Sequence, residues 1–415
     1  MAELGHEVLG VESQPDKLAL LARGEVPFYE PGLAELLKKH VDSGQLRITA
    51  SYAEAAEWSD VFFVAVGTPS MRGENRADLQ YVYAVIDELV PLLRRDVVIL
   101  GKSTVPVGTA QDLADRVDYL AKNVTVEVAW NPEFLREGHA IKDTLQPDRL
   151  VLGRSEGGRA ESVTREVYAS ILDAGTPFVV TDTATSELVK VSANAFLATK
   201  ISFINAIAEV CSAAGADVSA IADAIGYDAR IGRKFLNAGL GFGGGCLPKD
   251  IRAFIARAGE LGAAESVAFL REVDYINMRR RTRIVKLSSE ACGGSLIGAR
   301  VAVLGSAFKP DSDDVRDSPA LNVAGQMQLQ GAYVTVYDPK AISNSQAIFP
   351  TLNYADSARL ACDKADLVLV LTEWDEFVKL DPHLVGNAVN RKVIIDGRMC
   401  LDKGKWEEAG WEYWT

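Results

Sequence analysis

The chain has 415 residues, of which 48% are hydrophobic and 24% charged, which is enough apolar surface for more than one core, so two or three domains are expected. A formal net charge of -13 with an isoelectric point near 5.0 excludes broad adhesion to nucleic acid or anionic lipid, but leaves room for a small anionic ligand held by local Lys and Arg. The 5 cysteines are scattered without a CxxC pair and the 4 histidines lie far apart, so neither a disulfide framework nor a metal centre is expected.

No apolar run approaches the roughly 18 residues of a membrane span, and Met1-Ala2-Glu3-Leu4-Gly5-His6 lacks the basic-then-apolar order of a signal peptide. A soluble, cytoplasmic protein without a membrane partner is therefore expected. Residues 8–11, 61–66, 97–100 and 124–129 are short β-rich apolar runs. Between them, 31–41 and 79–93 carry apolar residues at three-and-four spacing, the mark of helices packed over a doubly wound parallel sheet. From about residue 185 the texture changes: 186–214 is one long helical pattern, and further helical stretches run to about 287 around a glycine-rich interruption at 239–245. A polar linker at 293–298 precedes strand-like runs at 301–304, 333–337, 367–371 and 393–395, again separated by helices. The expected class is α/β, with two Rossmann-like doubly wound parallel-sheet domains at 1–185 and 293–415 joined by a long-helix central domain at 186–292.

A dinucleotide-binding domain ordinarily opens with a strand, a GxGxxG turn and a helix whose N-terminus holds the pyrophosphate. Here residues 2–5 read as the last turn of that helix and lead straight into the strand ending at Glu12. The first sheet is therefore expected to be truncated at its N-terminus, with weaker dinucleotide binding and stability. Glu12 stands where a carboxylate accepts both ribose hydroxyls, although a surface Glu after a strand is common.

Gly241-Phe242-Gly243-Gly244-Gly245-Cys246-Leu247-Pro248-Lys249-Asp250 is the strongest local signal. Such glycines let the backbone approach a ligand and offer N–H donors to anionic oxygens, and a Cys before a helix start favours the thiolate. Alone, a GGGC is more often a flexible loop with an incidental thiol. Lys190 and Asn194 are four apart in a mostly apolar helix, so they share a face and suit a substrate hydroxyl and the oxyanion formed from it. Asn131-Pro132-Glu133-Phe134-Leu135-Arg136-Glu137-Gly138 follows a strand at the carboxyl edge of the sheet, where open α/β sheets bind ligands, so Glu133 and Glu137 are candidate carboxylates. Gly67-Thr68-Pro69 and Lys102-Ser103-Thr104-Val105-Pro106 share that edge. Lys309, Arg316 and Arg398 fall beside strand ends, where cations meet phosphates, with surface ion pairs as the competing reading.

Taken together these segments resemble the UDP-glucose/GDP-mannose dehydrogenase family over essentially the whole chain. Tyr29-Glu30-Pro31-Gly32-Leu33, Val66-Gly67-Thr68-Pro69, Lys102 to Gly108, Asn131 to Leu135, Asn194-Ala195-Phe196-Leu197-Ala198-Thr199-Lys200, Arg230-Ile231-Gly232, the Cys246 loop and Lys309 to Arg316 occur in the family's order. The resemblance implies a four-electron oxidation of the C6 alcohol of UDP-glucose to UDP-glucuronate, a step in polysaccharide biosynthesis, with NAD as cofactor. It implies catalytic roles for Cys246, Lys190, Asn194, Asp250, Glu133 and Thr104, with Cys246 forming a thiohemiacetal and then a thioester. NAD would meet Glu12, Lys17, Gly67, Thr68, Pro69, Ser103, Thr104, Glu137 and Arg316. The sugar nucleotide would meet Glu133, Phe134, Leu135, Lys190, Asn194, Arg230, Phe242, Gly243, Lys309 and Arg398. A homodimer built on the middle helix is implied, and no metal.

GDP-mannose and UDP-N-acetylmannosamine are the alternative substrates; a nucleotide-sugar binder without catalysis is the alternative from another class. Gly245 and Leu247 depart from the commoner Ser and Phe of the family's loop, a change expected to spare Cys246.

Overall fold

The strands of the computed structural model, which describes residues 1–415, are short and nearly all parallel. The chain divides into two units, Met1–Ala193 with Arg252–Gly262, and Asn194–Ile251 with Ala263–Thr415.

In the first unit β1 (Val8–Val11) pairs in parallel with β2 (Leu46–Thr49). A second sheet runs in the order β3 (Val61–Val64), β4 (Val97–Gly101), β5 (Val126–Trp130), β6 (Leu150–Gly153) and β7 (Phe178–Thr181). All its pairs are parallel except β5 with β6, which meet antiparallel at Trp130 and Gly153. The single sheet expected here is thus two, because β1 bonds only to β2 and β3 only to β4. β4 is buried along its whole length: Val97 and Ile99 face a core with Ile86, Leu113 and Trp130, while Val98 and Leu100 face Ala129, Leu152 and Ala160. A strand covered on both faces loses hydrophobic alternation, which is why 97–100 reads as a continuous apolar run.

In the second unit one parallel sheet runs β10 (Asn353–Tyr354), β9 (Tyr333–Tyr337), β8 (Arg300–Leu304), β11 (Leu367–Val370), β12 (Val393–Asp396), β13 (Glu412–Trp414). The order reverses between β8 and β11, so the doubly wound reading holds and the switch point lies at their carboxyl ends. The expected strands did not include β2, β6, β7, β10 or β13. All are at most four residues long, and all but β6 lie at the edge of a sheet.

The helix Thr183–Ala214 has 32 residues without Gly or Pro, a length of about 48 Å. It corrects one expectation, since 18 of its residues reach a mean hydropathy of 1.3, long and apolar enough by composition to cross a membrane. Apolar and small polar residues mixed through the helix hide that stretch from a search for unbroken apolar runs. The helices Leu247–Glu260 and Phe269–Ala291 complete the middle of the chain.

Candidate active site

In the first unit three loops leave the carboxyl ends of adjacent strands at one level. The ladder continues one residue past each strand, with Lys102 N–H donating to Val64 O and Asn131 N–H to Gly101 O, both at 2.8 Å. Thr68 Oγ1 donates to Thr104 O at 2.7 Å, and Ser103 Oγ to Val66 O at 2.6 Å, tying the β3 loop to the β4 loop. Trp130 Nε1 donates to Ser103 O at 3.2 Å. A Cβ at Gly101 would lie 2.2 Å from the Trp130 ring, so a glycine is required for that packing.

From this platform Glu133 reaches Lys190, whose Nζ donates to Glu133 Oε1 at 2.9 Å; the other oxygen, Oε2, accepts from Leu135 N–H at 2.5 Å. Lys190 is 5% exposed and its ammonium also lies 5.5 Å from the Phe134 ring centre, a cation over an aromatic face. Two of the residues expected in the site thus meet as a partly buried ion pair.

Lys102, not among the expected catalytic or binding residues, belongs to the same cluster. Its Nζ donates to Asn131 Oδ1 at 3.1 Å and to Tyr168 Oη at 3.4 Å, while Tyr168 O–H donates to the same Asn131 oxygen at 3.0 Å. Burial pulls the Lys102 ammonium down to about 8; Glu133 works against that shift and Lys190 with it. The signal that could have found Lys102 is a lysine directly after a fully buried strand.

Two buried carboxylates, Glu30 of a family-like segment and Glu187 of the long helix, turn out to be braces in the first unit. Glu30 is buried and accepts from Gly138 N–H at 2.7 Å and Ala140 N–H at 2.8 Å, fixing the turn that follows Glu137. Glu187 accepts from Gly108 N–H and Ala110 N–H, both at 2.7 Å, and so caps the helix Thr109–Leu120. Burial raises its carboxyl to about 7 despite those donors.

In the second unit Asn194 Nδ2 donates to Asp250 Oδ2 at 2.6 Å, and Lys249 Nζ lies 2.8 Å from Asp250 Oδ1. Asp250, 3% exposed, sits one turn into the helix that begins directly after Cys246, its N–H donating to Cys246 O at 2.9 Å. The Cys246 side chain is exposed. An exposed thiol at a helix start is the arrangement that favours a nucleophilic sulfur.

The glycines before Cys246 have a reason that their spacing did not reveal. A Cβ would fall 2.3 Å from Asn277 Oδ1 at Gly241, 2.4 Å from Asp317 O at Gly243, 2.8 Å from the Phe308 ring at Gly244, and 2.3 Å from the Arg316 guanidinium at Gly245. The close approach these glycines permit is to the protein's own side chains and main chain.

The remaining expected residues are spread through both units. Phe242 and Gly243 are buried within that loop. Arg398 donates to Leu371 O at 2.7 Å, Gly241 O at 2.9 Å and Phe308 O at 3.0 Å, joining the switch-point loops of the second sheet to the glycine loop. Lys309 lies 5.4 Å from the Phe308 ring, and exposed Arg316 is ion-paired with Asp314 at 2.7 Å. Arg230 is exposed and paired with Asp228 at 2.6 Å. Lys200 Nζ donates to Ile231 O and Gly232 O, both at 2.9 Å, so the Asn194-to-Lys200 segment holds the Arg230 loop.

Three consecutive domains of one family match this chain: the NAD binding domain of the UDP-glucose/GDP-mannose dehydrogenase family over residues 1–172, its central domain over 184–279 and its UDP binding domain over 302–403. The chain belongs to the UDP-glucose/GDP-mannose dehydrogenase family. It is an oxidoreductase with NAD as cofactor. It is 41% identical over 413 residues to the UDP-glucose 6-dehydrogenase of Rhizobium meliloti, covering 99% of this chain and 94% of that one. With UDP-glucose 6-dehydrogenase TuaD of Bacillus subtilis it shares 40% identity over 415 residues, 99% of this chain and 88% of the relative. It is similar in structure to a UDP-glucose dehydrogenase from Pyrobaculum islandicum, with a TM-score of 0.91, 37% identity, and coverage of 100% of this chain and 93% of that one.

The residues that could hold NAD in the first unit suit its chemistry. Glu12, directly after β1, is a half-buried carboxylate whose Oε1 accepts Gln14 N–H at 2.8 Å, leaving Oε2 to accept ribose hydroxyls. Gly67 has nothing within 4 Å of where a Cβ would stand, so a ring can approach its backbone closely. Exposed Lys17 and Pro69 and half-buried Thr104 and Glu137 complete the set in this unit.

Proposed function

We propose that the protein oxidises the C6 alcohol of UDP-glucose to UDP-glucuronate in two stages on one sulfur. The chemistry that NAD supplies when bound is acceptance of a hydride, once in each stage. In the first stage Lys190 and Asn194 hold the C6 oxygen as its proton leaves toward Asp250 and a water. Cys246 then attacks the aldehyde: the Sγ–C6 bond forms and the carbonyl oxygen takes a proton, giving a thiohemiacetal. Oxidation of that adduct, with loss of the C6 hydrogen and the hydroxyl proton, gives a thioester. A water positioned by Glu133 and Thr104 adds to C6, the C–S bond breaks, and the thiol returns as the carboxylate leaves.

What carries the reading is the exposed Cys246 thiol directly ahead of the helix whose buried Asp250 accepts from Asn194 of the long helix. UDP-glucose is preferred because relatives of that name share 41% and 40% identity over nearly the whole chain, against 25% for the structure described as a UDP-D-ManNAc dehydrogenase from Pyrococcus horikoshii. The ribose of NAD would meet Glu12 and Lys17; Gly67, Thr68, Pro69, Ser103, Thr104, Glu137 and Arg316 would line its remaining length. Phe134, Leu135, Arg230, Phe242, Gly243, Lys309 and Arg398 would receive the sugar nucleotide.

The same reading divides the chain into an NAD domain at 1–185, a helical domain at 186–292 and a UDP-sugar domain at 293–415, and makes the protein a cytoplasmic homodimer serving polysaccharide biosynthesis. The dimer finds support in Phe196, Phe203 and Val210, spaced seven apart along one helix and 66%, 50% and 63% exposed. The covalent mechanism is tested with Cys246→Ser: carboxylate formation is expected to fall roughly 100-fold or more. Carboxylate formed at the wild-type rate would refute it.

A further inference from the structure

The loop ahead of Cys246 has no regular secondary structure, yet the helix Phe269–Ala291 holds its main chain at several points. Asn277, with none of its surface exposed, accepts from Phe242 N–H at 2.8 Å and donates to Phe242 O at 3.0 Å. Its carboxamide thereby replaces the partner peptide that a β-ladder would give. Three and four residues on, Arg280 Nε donates to Gly239 O at 2.8 Å, and Arg281 donates to Phe242 O at 3.4 Å while paired with Asp317 Oδ1 at 2.7 Å. Both guanidinium groups are buried. Gly241, at φ 99°, is the residue whose Cβ would collide with Asn277. The contact is therefore specified from both sides, by a glycine at 241 and an amide at 277. Phe242 lies four residues before Cys246, so a drift of its peptide is carried along a short tether to the sulfur.

We propose that Asn277 is a positioning residue for the second oxidation: by gripping both polar groups of the Phe242 peptide, supported by Arg280 and Arg281, it holds Cys246 where it captures the aldehyde. This rests on the covalent reading above. The first oxidation makes no bond to sulfur and draws on Lys190, Asn194 and Asp250, none of which Asn277 touches. A loosened loop therefore leaves the first oxidation running and lets aldehyde escape before the Sγ–C6 bond forms. A residue that served stability alone would slow both oxidations together.

The experiment counts NADH formed per UDP-glucose consumed in Asn277→Ala and Asn277→Asp, with hydroxylamine trapping any free aldehyde and calorimetry giving UDP-glucose affinity. Wild type yields two NADH per sugar. In Asn277→Ala trapped aldehyde rises roughly tenfold, the effect of about 1.4 kcal/mol in the capture step, and the count drops below two by the fraction of sugar that escapes. UDP-glucose affinity, to which Phe242 and Gly243 contribute in the reading above, is measured alongside, because weaker binding alone slows both oxidations and leaves the count at two. Asn277→Asp keeps the acceptor for Phe242 N–H and falls between, and it decides the matter by the same count if the alanine variant does not fold. A count of two without trapped aldehyde in the folded variants overturns the proposal, whatever their kcat. Cys246→Ser run in parallel separates the two readings. If it retains wild-type carboxylate formation, the covalent mechanism falls and this inference with it; if it loses that activity while the Asn277 variants behave as wild type, only the positioning role falls.

Discussion

Lys102→Met is the substitution for which structure gives the clearest arithmetic. The side chain is replaced by one of similar length without charge, beneath the Glu133–Lys190 pair. Depression of the ammonium from 10.5 to about 8 corresponds to about 3 kcal/mol against the charged form at neutral pH. The side chain keeps a partial opening to water, so screening reduces the recoverable share to roughly 2 kcal/mol. Against this stand the hydrogen bonds to Asn131 and Tyr168, about 1 kcal/mol or less each, and neither partner is stranded, because Tyr168 O–H still donates to Asn131 Oδ1. The net change at about pH 7 is therefore small, and the pH dependence carries the test. A lysine whose folded value lies below its unfolded one contributes fully above the unfolded value, and that contribution is lost as pH falls toward 8. Lys102→Met should accordingly gain on wild type by roughly 2 kcal/mol as pH falls from about 10.5 to about 8, then hold level. Urea midpoints across that range measure it. A gap of constant size from about pH 7 to about pH 10 would show that Lys102 carries no desolvated charge and would refute the reasoning.

Glu187 titrates with the opposite sign. Its folded value, raised to about 7, exceeds the ordinary carboxyl value, so its contribution is present at acid pH and lost as pH rises through 7. Wild type should lose up to about 3 kcal/mol relative to Glu187→Gln between about pH 5 and about pH 8, read as diverging melting temperatures; parallel curves would count against the raised carboxyl. Phe203→Glu places a charge at the centre of the exposed apolar stripe and should convert a dimer into monomers by light scattering at micromolar protein. An unchanged mass would remove that stripe from the interface.

Much of this molecule is written in local pattern. Continuous apolar runs announced β4, β8 and β11, the absence of Gly and Pro over 183–214 announced the long helix, and the density of glycine before Cys246 marked the loop that holds the thiol. Two-stranded and edge strands such as β2 and β10 escaped, because four residues or fewer with one exposed face leave little periodicity to read. What only the tertiary structure decided is which groups meet across sequence. Glu30 caps a turn 108 residues away, Glu187 a helix 79 residues before it, and Asn277 grips a peptide 35 residues back. No spacing rule reaches over such distances, since periodicity reports the face a residue turns and not the partner waiting there. The glycines at 241 and 243–245 make the difference plain: sequence says that something must come close to that backbone, and the fold supplies Asn277, Asp317, Phe308 and Arg316.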